Sequence, residues 1–440
     1  MIMKHYLPFL ILLNTLLFSG CVPEKNTDSL VKYVDPHIGG VGHLLQPTRP
    51  TVQLPNQAIR MHPVRKDYLD DQIRFFPLTL ASHRQTPLFG VLPGTGSPEA
   101  GSWKERQTYD HDLEIVNPYS YSVFLVDENI TVEFAPGEKT GFFRFSFPPD
   151  NRKMLKFTLN NTGSWNLDSG KSISGTENFS GMKAYVYVEF NATALASIEE
   201  HPQAPVLWTD FSEVNRDVIE FKYAISFISH DQARRNLENE NPAREYNAWV
   251  EQGKNRWEEA LGRIEVKGGT KAQKRSFYTA LYRTYERMIN ISEEGRYYSA
   301  YDHQVHSSNR DFYVDDWVWD SFITHHPLRM IIDRKKEADM LQSYVKMYEQ
   351  SGWMPQFPLL FGDNPAMHGF HSTAVFLDAW RKNLRDFDIT KAYEGCKKNA
   401  EKATMLPWRN GPKTELDEFY REEGFYPALH PGEEETVARV

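Results

Sequence analysis

A change of hydrophobic period near residue 240 constrains this chain more than any other feature. Before it, short apolar runs are split by Pro, Gly and Asn: YSVFLVD (121–127), ITVEFAP (130–136), GFFRFSFP (141–148), MLKFTLN (154–160), AYVYVEF (184–190) and VIEFKYAISF (218–227). Phe143, Phe145 and Phe147 share a face, as do Tyr185 and Tyr187. Period two is the pattern of half-buried antiparallel strands, and regularly spaced short strands predict a β-sandwich. From Asn241 the period becomes helical. NPAREYNAWVEQGKNRWEEALGRIEV opens on an Asn N-cap with Pro at the first helical position and sets Trp249, Trp257 and Leu261 on one side. KAQKRSFYTALYRTYERMIN sets Phe277, Leu281, Tyr285 and Met288 on one face. A helix through DRKKEADMLQSYVKMYEQSG closes at Gly352, and two more run near STAVFLDAWRKNL and DITKAYEGCKKNAEKA. An all-β half followed by an all-α half makes an α+β, multidomain chain.

The first residues follow neither pattern. Lys4, an apolar run from Leu7 to Phe18, and Ser19-Gly20-Cys21 read as a secretory signal of the lipoprotein kind, with Cys21 the acylated residue. The run is shorter than the roughly 20 residues of a spanning helix. Cys396 is the only other cysteine. With Cys21 lipidated it has no disulfide partner, and its Lys-rich helical setting predicts a buried, inert thiol. A net charge of −9 without any basic run excludes a general nucleic-acid binder.

The familiar cofactor signatures are missing: no Walker sequence, no H-E-x-x-H, no C-x-x-C. GGVG (39–42) reads as a tight loop. HGFH (368–371) offers two imidazoles at i, i+3, which would need a third ligand to hold a metal. THHP predicts one satisfied and one exposed histidine at 325–326. The aromatic and acidic clusters carry more chemistry: DDWVWD (315–320), GWMPQFP (352–358) and LPWRNGP (406–412). Indole faces stack on the C–H faces of sugars, and carboxylates accept from paired hydroxyls. Within DDWVWD, Asp315 and Asp316 are expected to cap a helix or face solvent and Trp317 to pack. Trp319 and Asp320 are the candidate ligand contacts. The terminal PGEEETVARV reads as a solvated tail, or as the loop where a glycosidase keeps its acid.

Several stretches together resemble glycoside hydrolase family 92, the calcium-dependent exo-acting α-mannosidases. YVDPHIGGVGH (33–43) resembles the family's opening V-D-P-x-I-G-x-G-G. FAPGEKTGFFRFSFP resembles T-x-R-x-x-x-Y-R-F-x-F-P. FYTALYRTYERMIN resembles the first barrel helix, and DFYVDDWVWDSFITHHPL resembles D-F-S-x-W-D-T-x-R-x-x-H-P-L. MHGFH resembles M-I-G-Y-H, and EETVARV resembles E-S-V-S-x-T.

After the signal peptide at 1–21, the resemblance implies a β-sandwich over 30–238, linker helices over 239–268 and a partial (α/α)6 catalytic barrel over 269–440. It implies an inverting enzyme that releases terminal α-linked mannose, α-1,2 first among linkages, with calcium as cofactor. By that mapping Trp319 and Asp320 hold the terminal mannose and Glu435 is the general acid. His371, Gly42 and His43 line the site. GGVGHLL and the tract at 47–73 depart from the family pattern. The family runs on past Val440, so the chain is expected to be incomplete or truncated, with the catalytic base, an aspartate, and most calcium ligands beyond it. The partners implied are mannose-containing glycans and, through the lipid anchor, a bacterial membrane facing the periplasm or the outside. Two other readings remain open. One is a non-catalytic glycan-binding lipoprotein. The other is a different (α/α)6 glycosidase or phosphorylase, against which the lack of a basic phosphate nest argues.

Overall fold

A computed structural model describes residues 29–40, 48–67, 69–82, 86–240, 245–364, 369–406 and 411–427. Its first half is two antiparallel sheets packed face to face. The larger has eight strands in the spatial order Gly163–Ser169, Ser172–Phe179, Met182–Phe190, Val218–Ser226, Thr140–Ser146, Ile130–Pro136, Ser120–Leu125 and Ile115–Asn117. The smaller has five: Leu195–Glu199, Val206–Asp210, Met154–Thr158, Pro87–Gly94 and Phe76–Leu80.

Alternation decides which side chains enter the core. Along Met182–Phe190, Met182, Ala184, Val186, Val188 and Phe190 are buried while Lys183 and Glu189 are exposed. The expected common face of Phe143, Phe145 and Phe147 is the inner one, and all three join the shared core. Rings from the two sheets meet there: Phe157 lies 5.5 Å from Phe221, and Phe76 lies 6.3 Å from Phe143. Two inner faces interdigitating in this way define a sandwich.

Phe142, one residue out of phase with that inner row, points outward. It meets Tyr246 and Trp249 of the Tyr246–Leu261 helix edge-on, at 5.5 and 5.6 Å. The helices therefore build on the outer face of the large sheet. One of them, His230–Glu240, comes before the expected onset at Asn241 and packs on the strands Met182–Phe190 and Val218–Ser226. Only Ala233 and Leu237 are apolar among its buried residues, too few to show a period. The Asn241-Pro242 cap lies outside the described residues, and the next helix starts after Glu245 without a side-chain cap.

The Lys271–Thr284 helix opens on a reciprocal cap between Thr270 and Gln273. Its buried face is Tyr278, Leu281 and Tyr282, and Tyr285 follows directly after the helix. Phe277, expected inside, is 36% exposed, because Trp257 takes the neighbouring face by packing 5.1 Å from Tyr282. Arg334–Ser351 ends on Gly352, whose φ of 81° is the left-handed conformation that a side chain would disfavour. His371–Arg381 and Ile389–Lys402 follow, the latter capped by Asp388 accepting from Lys391 N at 2.9 Å. Cys396 lies on that helix, buried, and burial pushes its thiol pKa up, as expected of an inert thiol. Among the described residues no helix is long and apolar enough to cross a membrane.

Candidate active site

The DDWVWD stretch sits where the two halves of the chain meet. Asp315 takes a positive φ of 69°, a region Asp tolerates better than most residues. Its carboxylate is fully buried and pairs with Arg60, which lies on the short strand Arg60–Met61 paired with Val52–Gln53 ahead of the sandwich strands. Arg60 Nε also donates to Leu80 O at 3.0 Å. Asp316 is buried too. It accepts from Ser321 Oγ at 2.8 Å, from the Tyr344 hydroxyl and from Trp317 N at 2.8 Å. The expectation that both aspartates cap a helix or face solvent is corrected here. A carboxylate without water must find charge or donors: Asp315 finds a guanidinium 255 positions away, while Asp316 is satisfied by groups up to 28 positions away.

Behind Asp316 lies an ionic chain. His326 Nε2 contacts Asp316 Oδ2 at 2.9 Å, and its Nδ1 contacts Glu337 Oε1 at 2.7 Å. Arg329 Nε donates to Glu337 Oε2 at 2.9 Å. All four side chains are buried. Two carboxylates and two cations balance, so the group holds itself without solvent. Burial opposes a charged ring at His326, but the Glu337 and Asp316 carboxylates outweigh it and raise the imidazole to about 9. Burial would also raise the Asp316 carboxyl, yet the His326 hydrogen bond and charge drive it well below the ordinary carboxylate range. Of the expected pair of histidines, His326 is the satisfied one. His325 is half-buried, and burial lowers it to about 3.

This anchored base carries the short helix Val318–Ser321. Trp317 and Trp319 stack with ring centroids 5.7 Å apart and planes 12° from parallel. The Arg287 guanidinium lies 4.1 Å from the Trp317 centroid, and the Phe357 ring meets Trp319 edge-on at 4.8 Å. Phe357 belongs to the GWMPQFP loop, so two of the predicted aromatic clusters come together. Half-buried Asp363 holds that loop, accepting from Phe357 N at 2.7 Å and Gln356 N at 3.1 Å. Burial raises its carboxyl to about 6 despite those donors.

Asp320 is the exposed carboxylate of the group. His371 opens the His371–Arg381 helix with its ring 4.7 Å from Phe322. Burial lowers the His371 pKa, and the nearby Asp320 charge partly offsets that. Gly369 has a φ of 96°, a conformation that favours glycine, and a Cβ there would crowd the His371 ring at 3.0 Å.

The structure thus brings Trp319, Asp320 and His371 into one neighbourhood. Gly42, His43, Glu435, Cys21, His368 and Trp408 lie outside the described residues. Asp316, His326, Glu337, Arg329 and Arg60 escaped the sequence reading because their partners are 8 to 255 residues away. Among the described residues no group of three or more His, Cys, Asp or Glu side chains could hold a metal.

The family model for the glycosyl hydrolase family 92 N-terminal domain matches residues 33–226, and that for the family 92 catalytic domain matches residues 232–440. A family GH92 inverting mannosidase of Bacteroides thetaiotaomicron has the same fold, with a TM-score of 0.80 at 24% identity. That likeness covers 92% of this chain and 59% of the relative. A GH92 α-mannosidase from the same organism, solved in complex with mannoimidazole, gives a TM-score of 0.80 at 22% identity over 91% of this chain and 58% of its own. An uncharacterized secreted glycosidase of Arthroderma benhamiae is 25% identical over 185 residues, 41% of this chain and 20% of that protein. This chain thus spans about three fifths of the solved relatives' length.

Proposed function

The chain belongs to glycosyl hydrolase family 92, and from that premise we propose that it serves an inverting, calcium-dependent exo-α-mannosidase. The bond it breaks is a terminal α-mannosidic one, α-1,2-linked first, in mannose-containing glycans. The protein is held at a bacterial membrane through acylated Cys21. The observation that carries the reading is the pairing of a half-buried Trp319 with an exposed Asp320 on a helix whose base is locked by buried charges.

Trp319 offers an apolar wall to the C–H face of the terminal sugar. Asp320, open to solvent, accepts from two vicinal hydroxyls. His371, with its pKa lowered, stays neutral near pH 7 and can donate or accept at a third. These contacts fix the sugar ring relative to the bond to be broken, which is the positional part of catalysis. Glu435 protonates the leaving oxygen while water, giving its proton to a second carboxylate acting as base, attacks from the opposite face. An inverting pair stands about 6.5–9.5 Å apart to admit that water. Gly42 and His43 complete the wall. Calcium, when bound, supplies Lewis-acid polarisation. The requirement for it rests on family membership, and no described residue is assigned as its ligand.

The test is mannose release by the full-length protein from α-1,2-, α-1,3- and α-1,6-linked mannobiose, with and without a calcium chelator. Hydrolysis of the α-1,2 disaccharide, lost on chelation, supports the reading. Mannose 1-phosphate formed only in phosphate buffer points to a phosphorylase, and tight binding without turnover points to a glycan-binding lipoprotein.

A further inference from the structure

The outer face of the small sheet carries a second aromatic cleft, of about 560 Å³, with no residue in common with the Trp319 site. Alternation puts it there. Phe157 and Leu207 point into the core, so their neighbours Lys156 and Trp208, paired across the strands, point out. Because the helices pack on the large sheet, this face lies on the opposite side of the sandwich. The loop after Gly94 folds back over the sheet and lays Trp103 on the strand. A Cβ at Gly94 would stand 2.7 Å from the indole, so the glycine makes room for it. Trp103 then meets Trp208 edge-on at 4.8 Å.

We propose that this cleft is an accessory binding site for a neutral glycan, with half-buried Trp103 as its platform. Its volume falls within the roughly 300–1,000 Å³ of small-ligand sites. Its charges argue against the alternatives. Lys156 is paired with both oxygens of Glu105 at 2.6 and 2.7 Å, which leaves Glu199 in excess and repels phosphate, sulfate or uronate. The Lys156 ammonium lies 5.3 Å from the Trp208 centroid, so a side-chain cation already holds the face that a cationic ligand would take. Glu199 accepts from Trp208 Nε1 at 2.9 Å and keeps acceptor capacity toward the cleft. Exposed Gln203 adds an amide that both donates and accepts. Indole, carboxylate and amide around an open cleft match the alternating C–H faces and hydroxyl edges of a pyranose. The assignment rests on this chemistry and not on the hydrolase reading.

Affinity electrophoresis of the full protein through gels holding yeast mannan, xyloglucan, starch or polygalacturonate tests it. At least one neutral polymer should retard the protein and polygalacturonate should not. Trp103→Ala should weaken that retardation about tenfold or more, and Gln203→Ala, an exposed change that leaves the melting temperature alone, several-fold. Trp319→Ala should bind the gel as well as the parent while losing mannose release. The proposal is overturned if no neutral polymer retards the protein, if polygalacturonate is preferred, or if retardation survives both cleft changes. Loss in Trp319→Ala alone also overturns it.

Discussion

His326 Nε2 sits 2.9 Å from Asp316 Oδ2, in a space closed to solvent. The contact ties the two ends of an eleven-residue stretch that contains Trp319 and Asp320. The buried histidine is thus a clamp on the elements proposed to hold the sugar, and its proton is part of the clamp.

That proton sets a pH dependence. The folded pKa of about 9 lies above the ordinary 6.5. Between those values the folded state keeps a proton that the unfolded chain has lost, so stability is full below about pH 6.5 and falls as pH rises through 9. The slope is at most about 1.4 kcal/mol per pH unit, on the order of 3 kcal/mol in all. Urea midpoints taken from pH 6 to 10 should fall across this window, and His326→Gln should flatten the slope. An unchanged slope in the variant contradicts the clamp.

Arg60 and Asp315 join the sandwich to the helical half through a buried pair. Asp315→Asn leaves a buried guanidinium without its countercharge and should cost about 3–5 kcal/mol. Arg60→Met with Asp315→Leu, which removes both charges, should recover much of that. Denaturant midpoints of the parent, single and double variants decide the matter. A double variant as weak as the single one contradicts the pair's role.

Asp320→Asn keeps the shape of the exposed carboxylate and removes its charge. Hydrogen bonds to a charged acceptor contribute about 1.5–3 kcal/mol, so kcat/KM for mannobiose should fall about 10- to 100-fold with the melting temperature unchanged. Full activity in this variant would remove Asp320 from the site.

Much of the fold was legible because it is periodic. Phe143 and Phe145 alternate into the core, and Gly352 stops its helix. The His230–Glu240 helix was not, since only two of its four buried residues, Ala233 and Leu237, are apolar. At the candidate site, Trp319 and Asp320 stood out as an indole beside an acid. The supports of that pair did not, because burial turns Asp315 and Asp316 from apparent caps into ion pairs with Arg60 and His326. Partners that distant leave no mark on local pattern.

Glu435→Gln bears on the acid. Substrates with a poor leaving group should lose turnover by two to four orders of magnitude, about the contribution of general acid catalysis, while an activated aryl mannoside should lose far less. Equal losses on both would place the acid elsewhere.

The anomer of the first sugar released tests the central claim most directly. Proton NMR of the methyl α-glycoside of α-1,2-mannobiose, whose only free mannose product is the terminal residue, with the full-length protein and read before mutarotation, should show β-mannose appearing first, and Asp320→Asn should slow its appearance. α-Mannose as the first product, or β-mannose released as fast by the variant, would contradict an inverting mannosidase that holds its substrate at Trp319 and Asp320.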